Sequence, residues 1–152
     1  MDSGQSQPSL ARGQHIVAVA AIVVRSPTGL LEQPRVLAMR RAPENLAGPG
    51  LWETVSGRVE HGEEPLDALV REIEEECALE VELETRPFAT YAATRRGQPM
   101  IVILFRARYL GGEVKLSAEH DSFAWLTAAE MRARSRLLPL VEVVERALAT
   151  PL

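Results

Sequence analysis

SGRVEHGEEPLDALVREIEEECALEV, residues 56–81, is the stretch whose reading decides the fold. A glycine-containing turn runs into an amphipathic helix that opens at Pro65. At about 100° per residue, Leu66, Leu69, Val70, Ile73 and Cys77 fall on one apolar arc, the pattern of a helix packed on a core. Glu72, Glu75 and Glu76 gather on roughly the opposite side, with Glu72 and Glu76 stacked one turn apart. Arg71 lies beside that group, four residues before Glu75. Like charges at this spacing oppose helix formation by a few tenths of a kcal/mol per pair. A hard divalent cation reverses that sign, because it favours clustered carboxylate oxygens.

An acidic helix face taken alone is most often solvated surface. The order of residues upstream argues otherwise. Gly57 is followed after five residues by Glu63, and after seven more by Arg71-Glu72, aliphatic Ile73 and Glu75-Glu76. This resembles the Nudix hydrolase pattern Gx5Ex7REUxEExGU, where U is aliphatic, with one departure. Ala78 stands where the pattern has its last glycine, and Leu79 supplies the aliphatic residue after it. A glycine just past a helix relieves the left-handed C-cap conformation. Ala78 therefore ends the helix without that geometry, or adopts it at a cost.

At 152 residues the chain is long enough for one domain with a real core, read here as residues 15–152 behind a flexible tail of residues 1–14. Its composition, 46% hydrophobic and 25% charged, is that of an ordinary globular protein. A formal net charge of −4 offers no electrostatic footprint for duplex nucleic acid. The lone cysteine, Cys77, cannot form an intrachain disulfide and sits on the apolar helix face as a packing residue. The N-terminal stretch is polar, without the apolar segment of a secretory signal. The longest apolar run, Ile16 to Val24, is too short to span a bilayer. A cytoplasmic protein with no membrane partner is expected.

Ile16 to Val24, continuous and rich in β-branched residues, suits a strand buried on both faces. Arg35 to Arg41 and a short Leu51 to Val55 follow as strands, separated by the Pro/Gly loop from Ala42 to Gly50. After the helix come an edge strand from Glu80 to Arg86 and two strands, Phe88 to Thr94 and Met100 to Tyr109, joined by a hairpin turning at Gly97. Glu113 to Leu116 and Phe123 to Leu126 are further strands. Thr127 caps a helix to Arg134, with Glu130 completing a capping box, and Leu137 to Leu148 forms a last helix with Pro139 in its first turn. A mixed sheet with the motif helix on one face and the C-terminal helix on the other makes an α/β/α sandwich. The family resemblance implies the same fold.

The resemblance also implies an activity. Nudix enzymes hydrolyse a diphosphate linkage, commonly in a nucleoside diphosphate joined to another moiety, with Mg²⁺ (Mn²⁺ substituting) as cofactor. Carried onto this chain, Glu72, Glu75 and Glu76 are metal ligands and Glu72 is also a candidate general base. Arg71 orients the neighbouring carboxylate, Glu63 supports the site, the carbonyl of Ser56 is a further ligand, and Gly57 lets the loop come close. Family members often add a carboxylate from a late loop, and Glu119 stands at about that place, as ligand and alternative base. Arg40 and Arg41 end a strand near the expected substrate cleft, as solvated charges or as phosphate ligands. His120 reads as a surface histidine, and His61 is given no role.

The segments WETVSG and AEHDSFAWL are similar to the branch containing dihydroneopterin triphosphate pyrophosphohydrolase. Oxidised nucleoside triphosphates are equally compatible substrates; ADP-ribose and dinucleotide polyphosphates are less so. The partner implied is a small nucleotide-type molecule, and a homodimer is among the assemblies the resemblance admits. Two other classes stay open. A nucleotide sensor of this fold would usually lose one of the acidic or arginine positions, all of which stand here. An acidic interaction helix leaves the Gly57–Arg71 spacing unexplained.

Overall fold

The computed structural model describes residues 13–152, so all but the last two residues of the expected 1–14 tail lie outside the described residues. In chain order the elements are β1 (Ile16–Arg25), β2 (Arg35–Arg41), β3 (Trp52–Glu53), β4 (Val55–Arg58), α1 (Pro65–Glu76), β5 (Glu80–Leu83), β6 (Ala89–Arg95), β7 (Gln98–Gly111), β8 (His120–Leu126), α2 (Ala128–Arg134) and α3 (Leu138–Ala149). The strands form one 8-stranded mixed sheet. β1 is its axis, parallel to β7 from Ile16↔Met100 to Val24↔Arg108. It is antiparallel to β2 at one end and to β4 at the other, where Val19 faces Gly57 and Ala20 faces Ser56. β8 and β3 extend the sheet beyond β2; β5 and β6 flank β7.

Alternation along β1 divides the core in two, as expected of a strand covered on both faces. Ala18, Ala20, Ile22 and Val24 pack with Met131 of α2 and Leu140, Val141 and Val144 of α3. Val19, Ala21 and Val23 pack with Ala68, Leu69, Ile73 and Cys77 on the α1 side. The result is the expected α/β/α sandwich. The capping box at Thr127 and Glu130 is present, with both reciprocal hydrogen bonds made. Arg96 and Gly97, both at positive φ, turn the β6–β7 hairpin in two residues between paired Arg95 and Gln98.

Four local expectations change. Val70 is 55% exposed, and Ala68 takes its place on the buried arc. Glu72 and Glu76 do not lie opposite the core: both are buried and turned toward β4. The Glu113–Leu116 segment forms no strand, and the strand expected at Leu51–Val55 is split into β3 and β4, with Gly57 inside β4. At the end of α1, Ala78 takes the left-handed conformation, φ +53°, and its N–H donates to the Ile73 carbonyl at 2.8 Å.

Candidate active site

β4 and the turn after it set the site's edge. The Glu63 N–H donates to the Glu60 carbonyl at 3.0 Å, and the Glu60 N–H donates to Glu63 Oε1 at 3.1 Å, closing the turn before α1. Arg71, on the second turn of α1, forks onto Glu63: Nε to Oε2 and Nη2 to Oε1, each 2.9 Å. Its Nη1 donates to Glu72 Oε1 at 2.7 Å and Nη2 to the Arg58 carbonyl at 3.1 Å. One guanidinium therefore ties the turn, β4 and α1 together, a use of the planar fork that lysine cannot copy. The hydrogen bonds from Arg71, and then the Glu60 N–H, hold the Glu63 carboxyl down to about 2.

Gly57 sits against Glu72. A β-carbon there would fall inside the Glu72 carboxylate, so only glycine lets the glutamate reach the strand. Burial pushes the Glu72 carboxyl up despite Arg71, with Glu75 and Glu119 adding to the rise. Glu76, one turn on, is 3% exposed and accepts a 3.2 Å hydrogen bond from the Ser56 N–H. Burial, and then the nearby Glu53 carboxylate, push its carboxyl up to about 9. Glu75 is exposed and meets Arg71 only at 3.4 Å.

Glu119 comes from the turn before β8, its carbonyl held by the Ala42 N–H at 2.9 Å. Its carboxylate raises both Glu72 and Glu76. Carboxylate oxygens of Glu76 and Glu119 and a ring nitrogen of His120 lie within 4.8 Å of one another, a grouping able to hold a metal ion. Among the described residues Glu76 has no cationic partner. Glu76, raised by burial and by the neighbouring carboxylates, is short of positive charge, and a divalent cation would supply it.

His120 is not the expected surface residue. Its side chain is fully buried, with Nε2 2.9 Å from Glu53 Oε1. Glu53, in β3, is also bonded by Arg41, whose Nη1 donates to the Ala47 carbonyl at 2.6 Å. Burial alone would raise the Glu53 carboxyl, but the His120 and Arg41 hydrogen bonds overcome it and hold it low. Arg40 departs from its strand neighbour. It pairs with Asp121 at 2.8 Å and lines a separate surface groove with Pro43 and Trp52.

A cavity of about 310 Å³ opens beside the acids, walled by Ser56, Gly57, Glu53, Arg41, Tyr91, Arg95 and Met100 among others. Burial, then Glu53, raises the Tyr91 hydroxyl to about 12. Arg95 Nε is buried with no hydrogen-bond partner, leaving a cation facing the cavity. The sequence reading missed Glu53, Tyr91 and Arg95. Period-two alternation was the available signal for two of them, since Tyr91, Ala93 and Arg95 share the less exposed face of β6. Glu53, between Trp52 and Thr54 in a two-residue strand, gave no such periodic signal.

Sheet and motif helix define a fold of Nudix type. A family model described as the NUDIX domain matches residues 14–146. The chain belongs to the Nudix family. It is 34% identical over 130 residues to a "MutT-like protein" of Streptomyces ambofaciens, covering 86% of this chain and 75% of that one. It is 33% identical over 137 residues to an "Octanoyltransferase" of Myxococcus xanthus, covering 88% of this chain, and 33% identical over 122 residues to the human "8-oxo-dGDP phosphatase NUDT18", covering 78%. The chain spans 36% of the length of each of those two relatives. The C. elegans Ap4A hydrolase, solved as a binary complex, shares the fold with a TM-score of 0.76 at 20% identity, covering 88% of this chain and 96% of that one. Among the described residues no helix is long and apolar enough to cross a membrane.

Proposed function

We propose that this chain, through one Nudix domain over residues 15–152, is a Mg²⁺-dependent pyrophosphohydrolase. Its substrate would be a diphosphate linkage in a nucleoside triphosphate or a related nucleotide derivative. The observation that carries this reading is the seating of Glu72 against Gly57 and of Glu76 on the Ser56 N–H, with Glu119 beside Glu76, next to a cavity lined by Ser56, Gly57, Arg41 and Arg95. Glu72, Glu75, Glu76, Glu119 and the Ser56 carbonyl are the proposed ligands of Mg²⁺, with Mn²⁺ substituting. The bound ion would neutralise phosphate oxygens and acidify a water. Arg71, fixed by Glu63, orients Glu72 through their 2.7 Å hydrogen bond. Glu72 and Glu119 are the two candidates to take the water's proton. Arg41 and Arg95, facing the cavity, are the proposed phosphate contacts; Arg40, which does not line it, is not among them.

The cavity is at the small end of the ~300–1,000 Å³ range of ligand sites, which suits one ring system and favours a mononucleotide over a dinucleotide polyphosphate. The Glu53 carboxylate lines it, and each oxygen keeps a lone pair for ring N–H groups. A guanine edge offers such groups, and the name of the human relative supports an oxidised purine nucleotide. A pterin offers the same edge, which keeps dihydroneopterin triphosphate as the second reading. A cytoplasmic setting belongs to the same proposal. The test is phosphate release with Mg²⁺ from canonical and oxidised nucleoside triphosphates, dihydroneopterin triphosphate, ADP-ribose and dinucleotide polyphosphates, with and without chelator. Chelator-sensitive turnover of one class names the substrate; tight binding without turnover of any makes the chain a sensor.

A further inference from the structure

His120 has no place in the carboxylate scheme, yet it is the most enclosed polar side chain beside the acids. Its side chain is fully buried, and Nε2 is committed to Glu53 Oε1 at 2.9 Å. Glu53 is in turn anchored by Arg41, so it faces the imidazole as an anion and the proton of the pair belongs on Nε2. That tautomer leaves a lone pair on Nδ1. Nδ1 is buried and has no hydrogen-bond partner. A buried acceptor left unpaired is rare enough to require an explanation.

The surroundings supply one. A ring nitrogen of His120 lies within 4.8 Å of carboxylate oxygens of both Glu76 and Glu119. An ion with bonds of about 2.1 Å holds neighbouring ligand atoms roughly 3 Å apart and opposite ones roughly 4.2 Å apart. The three groups lie within 4.8 Å of one another, so a small inward shift of the side chains brings them onto one ion. A carboxylate bonded to one imidazole nitrogen, with the other nitrogen left free, is the arrangement in which carboxylates orient metal-binding histidines.

We propose that His120 Nδ1 is a nitrogen ligand, with Glu76 and Glu119, to a transition-metal ion in this site. Glu53 acts through His120, fixing its tautomer and ring plane, and Arg41 holds Glu53. Imidazole nitrogen suits Zn²⁺, Fe²⁺ and Ni²⁺, whereas Mg²⁺ prefers oxygen. The site therefore discriminates between ions that the oxygen ligands alone would treat alike. The inference rests on the metal-dependent reading above only in sharing Glu76 and Glu119.

Its test uses the whole chain without substrate. The sequence has three histidines, and His15 and His61 are exposed. The double variant His15→Gln, His61→Gln leaves His120 alone without touching the core. Mn²⁺ is bound to it and pulsed EPR is recorded for the nitrogen modulation of a coordinated imidazole. The modulation is expected, and is expected to vanish in His120→Gln, with Zn²⁺ affinity falling about tenfold or more and Mg²⁺ affinity nearly unchanged. Bound Mn²⁺ without nitrogen modulation in the double variant overturns the proposal, whatever the folding of His120→Gln. If Mg²⁺-dependent phosphate release persists in that case, the proposed function stands alone; if no divalent ion binds, both fall.

Discussion

Gly57 and Glu72 compete for one position in space: a β-carbon on the glycine would lie within the glutamate's carboxylate. Gly57 is not there for an unusual dihedral, since its φ is not among the positive ones and it sits in register opposite Val19 within a strand. Its missing side chain is what seats Glu72 against β4.

Gly57→Ala should therefore act mainly on chemistry. Relief requires Glu72 to swing away or β4 to shift against β1, and overpacking of this kind costs about 1–3 kcal/mol. Turnover is expected to fall at least as far as in Glu72→Gln, and the two changes combined should cost little more than either alone. Steady-state kinetics with a denaturation midpoint for each variant checks this. Wild-type turnover in Gly57→Ala would show that Glu72's seat does not matter.

Ala78 is the position where this chain leaves the family pattern, and the structure shows it strained. Left-handed backbone costs a residue with a β-carbon about 1 kcal/mol, and Ala78 lies at φ +53° just past α1. Ala78→Gly should stabilise the chain by about 1 kcal/mol, raising Tm by ~2–4 °C for this length, with unchanged activity. An unaltered or lower melting temperature by calorimetry would mean that glycine's extra unfolded-state freedom offsets the relief.

Local patterns carried much of this to the reader of the sequence. The unbroken apolar run in β1 implied two covered faces, and Thr127 with Glu130 marked a helix start, because both signals depend on residues a few positions apart. His120 and Val70 show where that ends. The burial of His120 depends on Glu53, 67 residues away in sequence, and on Arg41 beyond it. The burial of Glu72 and Glu76 depends on β4 presenting a glycine and a backbone N–H to α1. Helical periodicity sees charge and apolarity but not the partner surface, so it turned the acids outward and Val70 inward.

Glu76→Gln separates stability from function. The buried carboxyl has a backbone donor, Ser56, but no cationic partner among the described residues, and an amide keeps the shape and the acceptor oxygen. Metal-free Glu76→Gln should be at least as stable as the parent chain, while the rise in Tm on adding Mg²⁺ shrinks or disappears. Turnover at saturating Mg²⁺ should drop at least tenfold. Thermal melts with chelator and with Mg²⁺, beside phosphate release, decide it; an unchanged rate would remove Glu76 from the metal site.

The Glu63–Arg71 fork predicts a pH dependence of stability with a definite sign. Glu63 is held down to about 2, against an ordinary value of 4.5, by the Arg71 hydrogen bonds and the Glu60 N–H. A carboxyl lowered on folding contributes its stability fully above its ordinary range, and loses it as pH falls from about 4.5 toward about 2. Glu63→Gln should therefore show a shallower fall in Tm than the parent chain between pH 5 and pH 3. The difference should shrink in high salt, because the pair is partly exposed. Parallel slopes in low salt would mean that the fork stabilises nothing. Arg71→Lys distinguishes orientation from charge: a lysine cannot span Glu63, Glu72 and the Arg58 carbonyl together. It should lower turnover by at least tenfold while leaving Mg²⁺ binding, read by calorimetry, within about threefold, since Arg71 touches the proposed ligands but is not one of them.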